Sequence, residues 1–269
     1  MPSTLTSLQN PSVKNLVKLR QRRERDRQRL LLLDGARVLA LALRQAFPLR
    51  IVYVADSRLT IHAALLEQAH DAGIAQQVVS SAVFAKIGYG DHPDGLLAVA
   101  AQPSATLAAL PHPETAALYV VMEGLEKPGN LGAILRSADA AGVSGVIVCD
   151  SHTDIWNPNV IRASQGAFCT VPIAVATAEE TRRWLQQRSI HILAAVPTAL
   201  SQYTEVNLGD PTALVLGAEH AGLSSTWCQD TPVRIPMAGQ VDSLNVAQAA
   251  SIILFEAVRQ RRQTLTPRS

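Results

Sequence analysis

The sequence predicts an α/β protein of two domains. Three observations carry this prediction. Short apolar runs alternate with helical periodicity along the chain, and a stretch at 103–115 bearing Pro103, Pro111 and Pro113 interrupts the alternation. Beyond it, three segments run from an apolar strand into loops rich in backbone donors and small side chains, the form that holds ligands at strand ends. The 269 residues have room for two domains. With 48% hydrophobic and only 4% aromatic residues, the cores should be built from Leu, Val, Ile and Ala. Periodicity alone indicates an ordinary doubly wound sheet.

Residues 11–30 read as one helix, charged on nearly every face, with Leu16 and Leu19 as modest anchors. A helix that is polar all round lies on a surface or on a partner. Asp34-Gly35-Ala36-Arg37 opens a helix through about Gln45, with Val38, Leu39, Ala42 and Leu43 on one face. Ile51–Val54 has the continuous apolar character of a buried strand. A helix near 61–72 ends at Gly73, followed by a strand at 77–79, a helix at 81–87 and a strand at 96–100. Residues 1–102 are thus expected to form a small α/β domain, and 103–115 a linker.

The second domain, 116–269, begins with a strand at 118–122 and a helix at 131–141. A strand at 146–148, a helix near 158–166, a strand near 171–175, a helix at 179–188 and a strand at 192–195 follow. The chain then gives a strand at 213–217, a short helix around 224–229, a strand at 233–235 and a final helix from about 245 to 262. Val246, Ala250, Ile253, Leu254, Ala257 and Val258 mark the buried face of that helix, and Arg259, Arg261 and Arg262 suit its dipole.

Net charge is only +2, yet residues 14–29 hold eight cations and two acids, so the rest sums to −4. A basic arm on a mildly acidic body points to a polyanionic partner, through Lys14, Arg22, Arg23, Arg25 and Arg27. The bland alternative is a solvated helix that keeps the chain soluble. Cys149, Cys169 and Cys228 are far apart and form no Cys-x-x-Cys pair, which fits a reducing cytoplasm and three small buried hydrophobes. No metal-ligand spacing is present. No run of 18 apolar residues suggests a membrane span, and the first residues lack the form of a signal peptide.

The three loop segments carry the candidate chemistry. The first, Lys127-Pro128-Gly129-Asn130-Leu131-Gly132-Ala133-Ile134-Leu135-Arg136-Ser137-Ala138-Asp139, places Asn130 as a helix N-cap and Arg136 off the apolar face, four residues beyond Gly132. The second is Leu214-Val215-Leu216-Gly217-Ala218-Glu219-His220-Ala221-Gly222-Leu223, in which glycines allow close backbone approach and Glu219 supplies a loop carboxylate. The third, Ile235-Pro236-Met237 through Ser243-Leu244-Asn245-Val246-Ala247, runs into the last helix, with Asp242 or Ser243 as its expected cap. Walker, dinucleotide, zinc-protease and nucleophile-elbow patterns are incomplete or missing.

Together and in order, these segments resemble the three signature motifs of the SpoU-type RNA 2′-O-ribose methyltransferases of the SPOUT superfamily, over roughly the last 150 residues. That resemblance implies a homodimeric, S-adenosylmethionine-dependent enzyme with a deep trefoil knot in its C-terminal domain. Asn10–Lys14, Asp34-Gly35 and Asp94–Val99 resemble, more weakly, the RNA-binding N-terminal domain many such enzymes carry, itself related to ribosomal-protein folds. The family usually has Glu at position 34, Gln-Asp at Glu126-Lys127 and Thr at Ser137. The resemblance implies catalytic or substrate-facing roles for Arg136, Asn130, Glu219, Ser243 and Asn245. It implies a cofactor clasp from Leu216, Gly217, Ile235, Met237 and Leu244. The substrate class implied is RNA, ribosomal RNA first, in the cytoplasm, with no metal and no membrane.

Guanidinium is a donor of very high pKa and a poor general base, so Arg136 suits holding a phosphate and stabilising charge on the 2′-oxygen. The rival reading is a non-catalytic RNA-binding or ribosome-assembly factor on the same fold. The presence of Asn130, Arg136, Glu219 and Asn245 favours the enzyme.

Overall fold

The structure is a computed structural model that describes residues 4–89, 94–113, 116–150, 153–219 and 221–265. It divides into two compact units, one of residues 1–103 with 154–170, the other of 104–153 with 171–269.

The first unit begins with α1 (Pro11–Lys18) and α2 (Arg22–Gln28), followed by β1 (Leu30–Asp34) and α3 (Ala36–Arg44). β2 (Leu49–Ala55), α4 (Ala63–Asp71), β3 (Ala75–Val79), α5 (Ser81–Ile87) and β4 (Leu96–Ala101) complete its main body. Its four-stranded sheet has the order β1-β4-β2-β3, with β4 antiparallel to both neighbours and β2 parallel to β3.

The single helix expected over 11–30 is therefore two helices and the start of a strand. Asn10 Oδ1 accepts the Ser12 N–H at 2.8 Å, and Pro11 sits where its missing N–H costs nothing, so α1 starts sharply. Val13, Leu16 and Leu19 are buried in one core with Tyr53, Phe84 and Ile87, so this helix is amphipathic. Arg29, in the left-handed region at φ 54°, ends α2. The leucines that follow pair with β4, Leu31 opposite Ala100 and Leu33 opposite Ala98. Leucine is a good helix former; tertiary pairing overrides that propensity here.

Arg25, expected to meet RNA, is buried at 1% exposure. It donates to Leu19 O at 2.9 Å and Arg20 O at 2.6 Å and forms an ion pair with half-buried Asp154. Its place is structural. Arg20 is likewise engaged, donating to Lys86 O and Gly88 O and so satisfying carbonyls at the end of α5. Asp154 opens the returning segment, whose helix α7 (Pro158–Ala163) packs on β1, the sheet's edge strand. The expected second domain is thus interrupted, because 154–170 completes the first unit's core.

The second unit contains β5 (Leu118–Glu123), α6 (Pro128–Ala141), β6 (Gly145–Cys149), β7 (Ile173–Ala176) and α8 (Ala178–Gln186). β8 (His191–Ala195), β9 (Thr212–Leu216), β10 (Thr231–Val233) and α9 (Val246–Leu265) follow. All six strands are parallel, in the order β10-β8-β9-β5-β6-β7. β5, β6 and β9 are buried throughout, as continuous apolar runs in a parallel sheet require. Pro232 is tolerated because β10 is an edge strand.

The expected linker is part of this unit. Ala105 O accepts the Val175 N–H at 2.9 Å, a short 3-10 helix covers Leu107–Ala109, and Leu110 is buried in the core. The helix expected at 224–229 is a 3-10 turn at Ser225–Trp227. α9 packs against α6, and Ser137 Oγ lies 2.6 Å from Ser251 Oγ across them. Of the expected α9 face, all but half-buried Val258 are buried. Of the cysteines, Cys149 is buried, with burial pushing its thiol up to about 12, whereas Cys228 is exposed.

Candidate active site

Parallel strands deliver their following loops to one edge, and here the loops after β8, β9 and β10 enclose a cavity of about 680 Å³. All five residues expected to clasp the cofactor line it: Leu216, Gly217, Ile235, Met237 and Leu244. Glu219, Ser243 and Asn245 line it too. Apolar walls with a few converging polar groups are the usual make-up of a small-ligand site, and this volume lies in the usual range.

Three segments distant in sequence meet at the cavity. Asn130 Nδ2 donates to Glu219 Oε1 at 2.8 Å, and Asn245 Nδ2 donates to Asn130 Oδ1 at 3.1 Å and to Glu219 Oε1 at 3.2 Å. Lys127 Nζ forms an ion pair with Glu219 Oε2, so both carboxylate oxygens are engaged.

Local rules explain how these side chains are placed. Pro128 opens α6 and Lys127 is its N-cap, so Asn130 is the third helical residue rather than the cap expected for it. Its amide is therefore available to the other loops. Asn245 takes the capping role expected of Asp242 or Ser243: its Oδ1 accepts the Ala247 N–H at 2.9 Å. One side chain thus starts α9 and ties the third segment to the other two.

Gly217 is required for a reason nearer than a ligand. A Cβ there would lie 2.3 Å from the Gly222 carbonyl carbon and 2.7 Å from Leu223 N. A Gly217→Val change would therefore disrupt the loop itself, whatever the cavity holds.

Arg136 stands apart. It is exposed, does not line the cavity, and makes no hydrogen bond or ion pair with the described residues. It follows Asn130 by six residues, about 9 Å along the helix axis. Gly132, expected on its face, is buried. Ala195, Val196, Pro197 and Arg234 line the cavity and were not expected there. The strand ending at Ala195 was legible, but that β8 lies between β9 and β10 is a property of the sheet order alone. Among the described residues no cluster of three or more His, Cys, Asp or Glu could hold a metal ion.

A parallel sheet with a cavity of this size at its strand ends, lined by Glu219 and Asn245 with Asn130 hydrogen-bonded to both, is the arrangement by which α/β proteins hold small ligands. More particularly, the chain belongs to the SpoU rRNA Methylase family, whose model matches residues 117–255. Residues 10–98 match the MRM3-like substrate binding domain. A tRNA/rRNA methyltransferase of Synechocystis, itself uncharacterized, is 33% identical over 98% of this chain and 97% of its own. The 23S rRNA (uridine(2479)-2′-O)-methyltransferase of Streptomyces viridochromogenes is 32% identical over 93% of this chain and 90% of its own. Among solved structures, the AdoMet-bound rRNA methyltransferase of Sinorhizobium meliloti superposes with a TM-score of 0.86 at 31% identity, over 96% of this chain and 97% of that one.

Proposed function

We propose that the cavity formed by Leu216, Gly217, Ile235, Met237 and Leu244 holds S-adenosylmethionine, and that residues 1–102 recognise the RNA. The chain is an S-adenosylmethionine-dependent RNA 2′-O-ribose methyltransferase acting on ribosomal RNA. The observation that carries the assignment is the meeting of Asn130, Glu219 and Asn245 beside that cavity. The residues fit the cofactor: an apolar wall from Leu216, Ile235 and Leu244 suits an adenine, and Gly217 beside it lets backbone come close to its edge.

S-adenosylmethionine, when bound, supplies an electrophilic methyl group on a sulfonium. The protein's part is to hold the ribose hydroxyl in line and to favour its loss of a proton. The Arg136 guanidinium pairs with a substrate phosphate and stabilises negative charge developing on the 2′-oxygen. Glu219, held by Lys127, Asn130 and Asn245, gives the site a fixed carboxylate.

The working form is a homodimer with a trefoil knot in residues 116–269. Supporting the dimer, α9 leaves Ile252 and Phe255 exposed on one side, apolar surface of the kind a second copy covers. Supporting the knot, the chain returns to the sheet centre with β9 after both flanks are laid, crosses β8 to β10, and comes back to α6 with α9. A ribosomal RNA substrate supports a cytoplasmic location. Among the described residues no helix is long and apolar enough to cross a membrane.

The test is transfer of labelled methyl from S-adenosylmethionine to ribosomal RNA, with the product mapped for 2′-O-methylation. No transfer, despite cofactor binding measured by calorimetry, would return the chain to the reading of a non-catalytic RNA-binding factor.

A further inference from the structure

β9 ends at Leu216, and the loop after it carries Glu219 into the site. That loop is built around two fixed points. Gly217 packs against the Gly222 backbone, and the Gly222 N–H donates to Ala218 O at 3.0 Å. Just beyond, Ser224 fastens the turn to the sheet. Its N–H donates to Glu123 Oε2 at 2.7 Å and its hydroxyl to Glu123 Oε1 at 2.6 Å.

Glu123 is the last residue of β5, the strand paired with β9, and is only 7% exposed. Among the described residues it forms no salt bridge. Burying a carboxylate is costly unless hydrogen bonds satisfy it, and both oxygens here are committed to one serine. A charged acceptor makes those bonds shorter and stronger than neutral ones. Through them a central strand dictates where an exposed loop stands.

We infer that Glu123 is a positioning residue for methyl transfer. By gripping Ser224 it fixes how the described residues after β9 stand, holding Glu219 against Lys127, Asn130 and Asn245, and Leu216, Gly217 and Ala218 against the cavity. The inference rests on the function proposed for that cavity. Its sequence position gave no hint, since Glu123 merely follows an apolar run.

The experiment compares Glu123→Ala, Ser224→Ala, Glu123→Gln and the double alanine variant with the unaltered chain. S-adenosylmethionine affinity is measured by calorimetry, single-turnover methylation at saturating cofactor, and melting in parallel. Affinity or rate should fall about tenfold or more in either alanine variant, the loss of a hydrogen bond to a buried charged group. The double variant should be no worse than the poorer single one, because both changes break the same clamp. Glu123→Gln can still accept from the N–H and donate to the hydroxyl, so it should recover most of the loss. Ser224 is exposed, so Ser224→Ala stays folded even if Glu123→Ala does not. Normal affinity and rate in folded Ser224→Ala would overturn the inference, whatever its melting temperature. A failure of the unaltered chain to bind cofactor would instead overturn the function proposed for the cavity.

Discussion

Asn245 Nδ2 lies 3.2 Å from Glu219 Oε1 while the Oδ1 of the same side chain caps α9 through the Ala247 N–H. A single carboxamide therefore serves both helix stability and site geometry, and substitution can separate the two. Asn245→Ala should lose about 1 kcal/mol of stability as a lost cap, together with methyl transfer. Asn245→Asp keeps an acceptor for the cap, and a negative charge suits a helix N-terminus. It also sets a second carboxylate beside Glu219 and removes the donor. Its stability should stay near that of the unaltered protein while activity is lost. Urea denaturation beside single-turnover assays decides this, and equal activity of the aspartate variant would refute it.

Arg136 makes no bond with the described residues, so its removal should leave the fold intact. Losing a donor that stabilises transition-state charge costs about 10²- to 10³-fold in rate. Arg136→Ala should show that loss in single turnover, with nearly normal S-adenosylmethionine binding and melting. Arg136→Lys loses the bidentate fork and should recover little. Full activity in the alanine variant would remove Arg136 from the catalytic machinery.

The basic arm divides into two kinds of arginine. Replacing exposed Arg22, Arg23 and Arg27 by Gln should leave stability nearly unchanged. If all three meet phosphates, the log–log salt dependence of RNA binding should flatten by about two to three units. Arg25→Gln should behave oppositely, breaking an ion pair whose arginine is buried and leaving Asp154 unpaired, at a cost of about 3 kcal/mol. Salt titrations with denaturant melts distinguish the two, and an unchanged slope in the triple variant would return those residues to a solvated surface.

Asp34 gives the first unit a pH dependence. Burial, with Asp94 nearby, raises its carboxyl from 3.8 to about 6, although the Tyr89 N–H opposes this. Between those values the folded protein keeps a proton that the unfolded chain releases, so stability falls as pH rises through the window and levels above it. The loss should be on the order of 2 kcal/mol, allowing for partial exposure. Asp34→Asn can still accept from Tyr89 and should flatten the curve between about pH 4 and 6. Parallel curves for the two proteins across that range would exclude Asp34 as the source.

Local pattern determined a good deal of this protein. Apolar runs marked β5, β6, β8 and β9 because strands buried in a parallel sheet must be apolar on both faces. Helical periodicity marked α9 and its buried face, and fixed motif spacings singled out the residues that meet around Glu219. The tertiary structure decided what depends on partners distant in the chain. Leu30–Asp34 became a strand because β4 lies beside it. Arg25 left the RNA-facing set because it is buried and paired with Asp154, 129 residues away, and charge patterning carries no information about burial. Asn245 rather than Ser243 capped α9, a choice of one register position that spacing does not resolve. Glu123 acquired a role only when Ser224, 101 residues later, closed on it. Propensity and periodicity act between neighbours in sequence, whereas a hydrogen bond to a buried charge is fixed by neighbours in space.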